Sequence, residues 1–276
     1  MRRHEGDASI QAPTQTRANP SPYQAVILAA GEGSRLRSQE SDLKPLTRVA
    51  GLSLLERAVR NCRDAGVSDI VLVLGYQEDK IRTQLRELAE RYQVGIRSAT
   101  NEDWHLGNGG SVLAAAPYID RPFLLMMCDH LIHPRLLMKL LDADNAIRTC
   151  ALAVDCQPAL VRDVEEATKV LFDGFRIAAI GKSLPTYDAI DTGLFLCREL
   201  VFDALRQAAA SGRHSLSDGV QLLATRGEVA WVSSDGLPWV DVDTPDDLSY
   251  ARALVVGGGW PAIGAATAPV DSAPRL

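Results

Sequence analysis

An apolar run at 25–30 leads into two glycines, an arginine and then a lysine before a proline, and this stretch constrains the fold most. A run this apolar is typical of a strand buried on both faces of a parallel sheet. Gly31 and Gly33 let the backbone turn tightly and bring its N–H groups close to an anion. Because Arg35 and Lys44 add full positive charges beside these dipoles, the loop is suited to a nucleotide triphosphate.

Two other phosphate-binding patterns fit this loop less well. The dinucleotide fingerprint requires a third small residue where Leu36 stands, and an acidic residue at the end of a second strand roughly 20 residues on. That region is instead a predicted helix beginning near Ser53, where Ser53-x-x-Glu56 resembles a capping box. The Walker pattern is absent as well, since no Gly-Lys-Ser/Thr follows the glycines.

Composition narrows the class of protein. A chain of 276 residues with 46% hydrophobic and 23% charged residues suits a globular protein of one large or two small domains. The net charge of −6 argues against a general nucleic-acid binder. The five cysteines are scattered without a Cys-x-x-Cys pair, which favours a reduced, cytoplasmic compartment. The apolar runs are too short for membrane insertion.

Strand and helix patterns alternate along the first half of the chain. Apolar strands at 25–30, 69–74 and 94–98 are separated by amphipathic helices, which predicts a parallel sheet with right-handed crossovers. The later pattern predicts further strands at 123–127, 150–154, 190–197, 230–232 and 239–241, with a hairpin over 170–177. A final helix begins at Thr244, where a cap, a proline and acids follow in order.

Several acids and bases follow predicted strands. Asp129 ends a buried strand, at the edge where open α/β sheets bind ligands, and hard carboxylate oxygens suit Mg²⁺. Asp241 and Asp243 can complete such a site. Each of these acids taken alone slightly favours a turn or helix cap, but together with the glycine loop they favour a metal site. His130 either orients a substrate or is a turn residue. Lys169 and Lys182, each taken alone, read as surface charges.

The motifs, taken together and in order, resemble one enzyme family. They comprise Leu-Ala-Ala-Gly-x-Gly-x-Arg at 28–35, Lys-Pro-Leu at 44–46, Gly-Asn-Gly at 107–109, Asp-His at 129–130, Glu-Ala-Thr-Lys at 166–169, Ile-Gly-Lys at 180–182, Asp-x-x-Asp-Thr-Gly at 188–193 and Trp-Val-Asp-Val-Asp-Thr at 239–244. This set is similar to the CTP:inositol-1-phosphate cytidylyltransferases, members of the sugar nucleotidyltransferases. One departure is Cys128, where the family tends to have glycine.

The resemblance implies a role for each matching residue. The nucleotide would be held by Leu28, Ala30, Gly31, Gly33, Asn108 and Gly109. The catalytic cations would be Arg35 and Lys44 on the nucleotide phosphates and Lys182 on the acceptor phosphate. The acceptor would also contact His130, Lys169 and Asp191. The Mg²⁺ ligands would be Asp129 and Asp241, with Asp243 as a third carboxylate.

The resemblance also implies the fold and its limits. We expect a single Rossmann-like α/β domain with a mixed, mostly parallel central sheet, helices on both faces and a small β-rich acceptor-binding part. It would span 23–256, with the nucleotide-binding part at about 23–130 and the acceptor-binding part at about 131–256. Residues 1–22 are predicted to be a disordered tail and 257–276 a flexible one, both dispensable.

The implied reaction is Mg²⁺-dependent transfer of a cytidylyl group from CTP to inositol 1-phosphate, an EC 2.7.7 activity. Alternative acceptors are phosphocholine, another cyclitol phosphate or a phosphonate, and another nucleoside triphosphate is an alternative donor. A nucleotide-binding regulatory protein without catalysis is the alternative from a different class. Further expectations are a homodimer and a separate membrane CDP-alcohol phosphotransferase as partner.

Overall fold

The computed structural model describes residues 21–36, 43–258 and 260. The strands in these ranges are β1 Gln24–Ala29, β2 Arg48–Val49, β3 Leu52–Ser53, β4 Asp69–Leu74, β5 Gly95–Thr100, β6 Phe123–Met127, β7 His130–Ile132, β8 Cys150–Asp155, β9 Lys169–Asp173, β10 Arg176–Gly181, β11 Ala189–Cys197, β12 Val229–Ser233 and β13 Trp239–Asp241. The α-helices are α1 Leu54–Asp64, α2 Glu78–Tyr92, α3 Asn108–Ala115, α4 Pro134–Asp142, α5 Leu200–Ala210, α6 Leu216–Thr225 and α7 Pro245–Val256.

One nine-stranded sheet runs through the molecule in the order β5-β4-β1-β6-β11-β8-β12-β10-β9. Strands β5, β4, β1 and β6 are parallel, whereas β11 runs antiparallel to both of its neighbours, β6 and β8. The predicted hairpin forms as the antiparallel pair of β9 and β10. The sheet is therefore mixed, and strands from both halves of the chain belong to it.

Helices cover both faces of this sheet, as the alternation within β1 shows. Ala25, Ile27 and Ala29 face a core completed by α1, α2 and α4. Val26 and Leu28 face the opposite core, which α3, α5 and α6 complete. Side chains of a strand point to alternate faces, so the unbroken apolar run is what a strand between two helical layers requires. None of the helices in the described ranges is long and apolar enough to cross a membrane.

A third, smaller core lies beneath the loops at the carboxyl end of the sheet. It joins the two-stranded sheets β2–β3 and β7–β13 to α7. This core contains the direct chain neighbours of predicted site residues, namely Leu36 after Arg35, Leu131 after His130, and Val240 and Val242 on either side of Asp241. Trp260 also belongs to it, at 8% exposure, with its ring centroid 5.4 Å from that of His133.

Trp260 bears on the predicted tails, most of which lie outside the described residues. It belongs to the segment predicted to be flexible, yet it is buried, so we expect the domain to extend at least to this residue. Trp260→Ala should lower the free energy of unfolding by roughly 3 kcal/mol, the usual scale for truncating a buried aromatic residue. Val256→Ala, at a residue 78% exposed, is the control and should stay within about 0.5 kcal/mol. Denaturant unfolding measures both, and equal values would contradict a structural role for Trp260.

Candidate active site

Strand pairing brings the predicted site residues together. Leu28 of β1 lies beside Met127 of β6 in parallel register, so the glycine loop after β1 and Asp129 after β6 share one edge of the sheet. Asp241, at the end of β13, pairs with His130 in β7, although more than a hundred residues separate them in the chain. The backbone N–H of Val242 also donates to the carbonyl of Asp129 at 3.1 Å. The second acidic motif is thereby fixed against the first.

Lys44 is the buried centre of the site, with a side chain only 7% exposed. Its Nζ lies 2.6 Å from Asp129 Oδ2 and 3.9 Å from Asp241 Oδ1, and it donates a hydrogen bond to Asp243 Oδ1. Burial alone would lower the pKa of Lys44, but the three carboxylates outweigh it and raise that pKa above its usual value. Lys44 is therefore a permanent positive charge at neutral pH.

Arg35 extends the positive charge towards solvent. Its Nη2 lies 2.5 Å from Asp243 Oδ2, so the two oxygens of Asp243 are divided between Arg35 and Lys44. Gly33 makes this packing feasible. Its φ is +61°, and a Cβ there would lie 2.5 Å from Lys44 Cβ. Gly31 has open space beside it, because among the described residues other than its chain neighbours no atom lies within 4 Å of a Cβ placed there.

His130 faces the same carboxylates from the other side. Its Nε2 lies 3.6 Å from Asp241 Oδ2 and 3.9 Å from Asp129 Oδ1. Burial opposes protonation, yet Asp241 and Asp129 together with the carbonyl of Thr192 raise the pKa of His130 to about 10. Burial disfavours the charge of Asp241 too, but His130 and Lys44 more than compensate and lower its pKa. At neutral pH His130 is therefore an imidazolium beside two carboxylates.

Two adjoining cavities meet at Arg35 and Asp243, which line both of them. The loop cavity, about 290 Å³, is lined by the glycine loop, Lys44 and Asp129. The wide cavity, about 350 Å³, is lined by His130, Asp191, Lys182, Trp239 and Tyr250 among others. Two substrates placed in these cavities would meet beside Lys44 and Arg35.

Asp191 and Lys182 both border the wide cavity, as acceptor ligands should. Burial raises the pKa of Asp191 to about 6. The Gly193 N–H, which donates to Asp191 Oδ1 at 2.7 Å, lowers this pKa but does not offset the burial. Lys182 is 62% exposed, with its Nζ 3.6 Å from Glu166 Oε2. Lys169 differs from these two, because it is buried and its Nζ donates to the Glu165 carbonyl at 2.8 Å. Its contact in the structure is thus with its own loop.

The Gly-Asn-Gly motif at 107–109 makes structural contacts that the sequence did not indicate. Asn108 Oδ1 accepts the N–H of Leu216 at 2.7 Å, at the start of α6, and Asn108 also lines the wide cavity. The N–H of Gly109 donates to the carbonyl of His214 at 2.9 Å. This motif therefore anchors the segment before α6 at the margin of the site.

Gly109 and its neighbour Gly110 form a matched pair for testing this anchor. A Cβ at Gly109 would lie 2.6 Å from the His214 carbonyl oxygen, whereas one at Gly110 would lie 3.4 Å from its nearest neighbour, in the side chain of Asn101. Gly109→Ala should destabilise the fold by roughly 1–3 kcal/mol, since backbone must move. Gly110→Ala should change stability by less than about 1 kcal/mol, with helix propensity in its favour. Urea unfolding compares them, and equal effects would contradict the close packing.

The sequence reading missed some residues of the wide cavity. Trp239 Nε1 donates to Asp155 Oδ2 at 2.9 Å, and its ring lies 6.1 Å from that of His130 in a stacked arrangement. Arg162 lies over the ring of Tyr250 at 4.7 Å and contacts Asp247 at 3.5 Å. Trp239, directly before the strand acids, was the one available signal in the sequence.

Cys128, where the family tends to have glycine, fits without opening the strand. Its N–H donates to the Leu28 carbonyl at 3.0 Å, and its side chain is buried. Burial, with Asp129 beside it, raises the pKa of this thiol, so it stays protonated. Cys128 lines the loop cavity as a small neutral side chain.

Comparison with known proteins identifies the family. Residues 25–216 match the model of the MobA-like NTP transferase domain. The chain belongs to this family. As an NTP transferase domain, it has the α/β nucleotidyltransferase fold that the sequence predicted, with helices on both faces of the sheet. The glycine motif and Lys44, which line the loop cavity, lie within the matched residues.

Individual relatives agree with this assignment. The Bifunctional IPC transferase and DIPP synthase of Rubrobacter xylanophilus is 40% identical over 242 residues, covering 87% of this chain and 53% of that protein. The CMP-5'-(3-aminopropyl)phosphonate synthase of Streptomyces rubellomurinus is 32% identical, covering 83% of this chain and 38% of the relative. The chain spans about half the length of curated relatives that it matches.

A solved structure extends the likeness to the fold. The inositol-1-phosphate CTP transferase from T. maritima superposes with a TM-score of 0.68 at 26% identity. The match covers 87% of this chain and 98% of that one. The resemblance to CTP:inositol-1-phosphate cytidylyltransferases drawn from the motifs is confirmed, and the chain is a nucleotidyltransferase by family.

Proposed function

We propose that this chain transfers the cytidylyl group of CTP to inositol 1-phosphate, giving CDP-inositol and pyrophosphate. The observation that carries the proposal is the meeting of two cavities beside a buried lysine and an arginine. The names of the Rubrobacter relative and of the T. maritima structure support the choice of substrates. The glycine loop would bind the triphosphate in the loop cavity, and the wide cavity would take the acceptor.

The reaction needs no covalent nucleophile from the protein. An oxygen of the acceptor phosphate forms a bond to the α-phosphorus of CTP, and the bond from that phosphorus to pyrophosphate breaks. Both substrates are anionic, so the protein must align them and offset their repulsion. Lys44 and Arg35 supply fixed positive charge where the cavities meet, and Lys182 would hold the acceptor phosphate.

The carboxylates of this site fit a divalent cation. Oδ1 of Asp241 is buried without a hydrogen-bond partner among the described residues, and its nearest cation, Lys44 Nζ, lies 3.9 Å away. Asp129 and Asp241 would hold Mg²⁺, whose charge, when bound, helps to neutralise the phosphates. Asp243 is the weaker candidate as a ligand, because both of its oxygens contact cations of the protein.

A different acceptor has one observation in its favour. Among the described residues, the wide cavity is lined by seven carboxylate side chains, by three arginine or lysine side chains and by His130. Carboxylates accept hydrogen bonds from the hydroxyls of a polyol, and they also bind an ammonium group. An aminoalkyl phosphonate or phosphocholine is therefore the second candidate, and the Streptomyces relative is named for such a substrate. A regulatory protein without catalysis is disfavoured, because Arg35, Lys44, Asp129 and Asp241 are all present together.

Pyrophosphate release from each nucleoside triphosphate with each acceptor tests the proposal. The acceptors are inositol 1-phosphate, phosphocholine, 3-aminopropylphosphonate and glucose 1-phosphate. We expect turnover with CTP and inositol 1-phosphate to be fastest. UTP should be rejected, because uracil lacks the exocyclic amine of cytosine and the protein groups that pair with this amine would be left buried without a partner. Preference for a purine triphosphate would contradict the cytidylyl assignment, and preference for an amine-bearing acceptor would favour the second candidate.

Lys182 provides a test of the acceptor side alone. Lys182→Ala should raise KM for inositol 1-phosphate roughly 5–10-fold, since a charged contact to a phosphate is lost at a solvent-exposed position. KM for CTP should change little. Glu166→Gln is the complementary variant, and it should lower KM for the acceptor because Lys182 loses its competing partner. A Lys182→Ala effect on CTP instead would contradict the assignment of the wide cavity to the acceptor.

A homodimer stays a proposal for this chain, as does a membrane CDP-alcohol phosphotransferase that consumes the product. The second follows from the chemistry of a CDP-activated alcohol, which needs an enzyme that transfers the phosphoalcohol to another hydroxyl.

A further inference from the structure

Ligand atoms of three residues lie close together where the wide cavity, lined by His130 and Asp241, adjoins the loop cavity, lined by Asp129. One ligand atom from each residue lies within 4.8 Å of the others. His130 Nε2 faces Asp241 Oδ2 and Asp129 Oδ1. The histidine nitrogen is 3.6 Å and 3.9 Å from the two oxygens. Both separations exceed a normal hydrogen bond. The three atoms thus face one another without a strong direct contact.

Lys44 contacts the other oxygen of Asp129. It approaches Asp129 through Oδ2 at 2.6 Å, which leaves Oδ1 of Asp129 turned towards His130. Asp129 therefore has one oxygen for the lysine and one for a further partner. Asp241 likewise presents Oδ2 to His130, and its other oxygen is the buried atom that lacks a hydrogen-bond partner among the described residues.

The imidazole of His130 is held in the orientation that a ligand requires. Its Nδ1 lies 2.8 Å from the Thr192 carbonyl oxygen, which can only accept, so Nδ1 carries the hydrogen and Nε2 faces the carboxylates. Histidines that bind metals commonly donate their other ring N–H to a carbonyl in this way. Gly193 leaves room for the ring, because a Cβ at this position would lie 2.3 Å from His130 Nδ1. Its φ of +74° also favours glycine. The stacked ring of Trp239 supports the imidazole as well.

We propose that His130 is the third protein ligand, beside Asp129 and Asp241, of the divalent cation at this site, and that it makes the site favour Mn²⁺ over Mg²⁺. The two carboxylates are already part of the proposed function, on which the need for a cation rests. The imidazole and the selectivity are the addition. Mg²⁺ prefers oxygen ligands, whereas the affinity of nitrogen donors rises along the transition metals.

A second arrangement of the same atoms predicts a different result. His130 can stay an imidazolium that pairs with the two carboxylates and never touches a metal. When no cation is bound, the negative charges of the two carboxylates favour the protonated form of His130. A bound divalent cation neutralises those charges, so His130 no longer has a reason to stay protonated. The two arrangements differ in whether a nitrogen is bonded to the cation, and that is directly measurable.

Electron spin echo envelope modulation of Mn²⁺ added to the metal-free full chain measures such a bond. A directly bound imidazole gives ¹⁴N modulation at the Mn²⁺ signal. The variants are His130→Gln, with His130→Asn as a second replacement should the first not fold. The control is His133→Asn, since His133 lies three residues away and its Nδ1 accepts the N–H of Arg135 as a helix cap that asparagine can replace. The spectra are recorded with Mn²⁺ alone and with Mn²⁺ and CTP.

We expect ¹⁴N modulation in the parent protein and in His133→Asn, and its loss in the folded His130 variant. Mn²⁺ affinity should fall on the order of tenfold or more in that variant, because even outer-shell partners of metal ligands contribute about this much. The excess of Mg²⁺ over Mn²⁺ that is needed to displace bound Mn²⁺ should also be smaller in the His130 variant than in the parent protein. Modulation that survives in the variant, Mn²⁺ binding without modulation, or no saturable Mn²⁺ binding under either condition would overturn the proposal. Since no step requires turnover, an inactive protein that shows the expected spectra would refute the proposed function and leave the ligand assignment standing.

Discussion

Lys44→Ala should lower kcat on the order of 10²–10³-fold, with much smaller changes in KM for CTP and for inositol 1-phosphate. Loss of one preorganised charge at a developing anion has an effect of this size. Lys44 Nζ is fixed by Asp129 and Asp243 at the junction of the two cavities, where negative charge accumulates during transfer. Steady-state kinetics with each substrate varied in turn measures the separation between kcat and KM.

Lys44→Arg is the informative second variant and should restore little activity. The stem of Lys44 packs against Gly33, and its compact ammonium sits between carboxylates, where a planar guanidinium fork does not fit. Either replacement also disturbs the ion pairs of Asp129 and Asp243. These acids are 34% and 25% exposed, so water can solvate them and we expect a loss of stability that leaves the protein folded. Thermal unfolding provides this control, and an arginine variant with normal kcat would contradict the role of Lys44.

The strands that carry the nucleotide loop were predictable from local pattern alone. The strands at 69–74 and 123–127 have the predicted bounds, and β1 differs by one residue at each end. Each is a run of apolar residues long enough to span a buried sheet, so the signal is complete within the strand itself. The direction of β11 was not predictable, because a strand buried on both faces has the same pattern in parallel and antiparallel pairing.

The pairing of the short elements that assemble the site could not be predicted in this way. Strand β13 was predicted at 239–241, but β7 was not, because three residues are too few for any periodicity. The pairing of these two strands sets Asp241 against His130. Ser53 caps α1 as predicted, but the carboxylate of Glu56 pairs with Arg91 and Tyr92 instead of closing the capping box. In both cases the residue that determines the contact lies tens of residues away in the chain or further, so the local sequence cannot predict it.

The same limit applies to individual polar residues. Lys169 and Lys182 each end a motif, but Lys169 is buried against its own loop and Lys182 borders the wide cavity. Asn108 is predicted to lie near the base, and the structure adds a contact that the motif did not indicate, since its side-chain oxygen accepts the N–H of Leu216. A motif therefore indicated which loops form the site more reliably than it indicated the contact made by each side chain.

The second large effect is expected at Asp129. Asp129→Asn should remove most Mg²⁺-dependent turnover, on the order of 10²–10³-fold, while the protein stays folded. The amide oxygen of asparagine can still accept the hydrogen bond from Lys44, so the local structure has a substitute for the lost carboxylate. What the variant loses is a negative oxygen for a divalent cation, because the side chain is now neutral.

Asp243→Asn is the matched comparison, since Asp243 contacts the same Lys44 Nζ. Both of its oxygens already face protein cations, so this variant should lower turnover less and leave the Mg²⁺ concentration for half-maximal rate nearly unchanged. Initial rates over a Mg²⁺ titration, with circular dichroism as the folding control, separate the two acids. Normal turnover of Asp129→Asn at saturating Mg²⁺ would make Asp129 a structural partner of Lys44 only. A larger shift in the Mg²⁺ requirement for Asp243→Asn would instead assign the metal to Asp243.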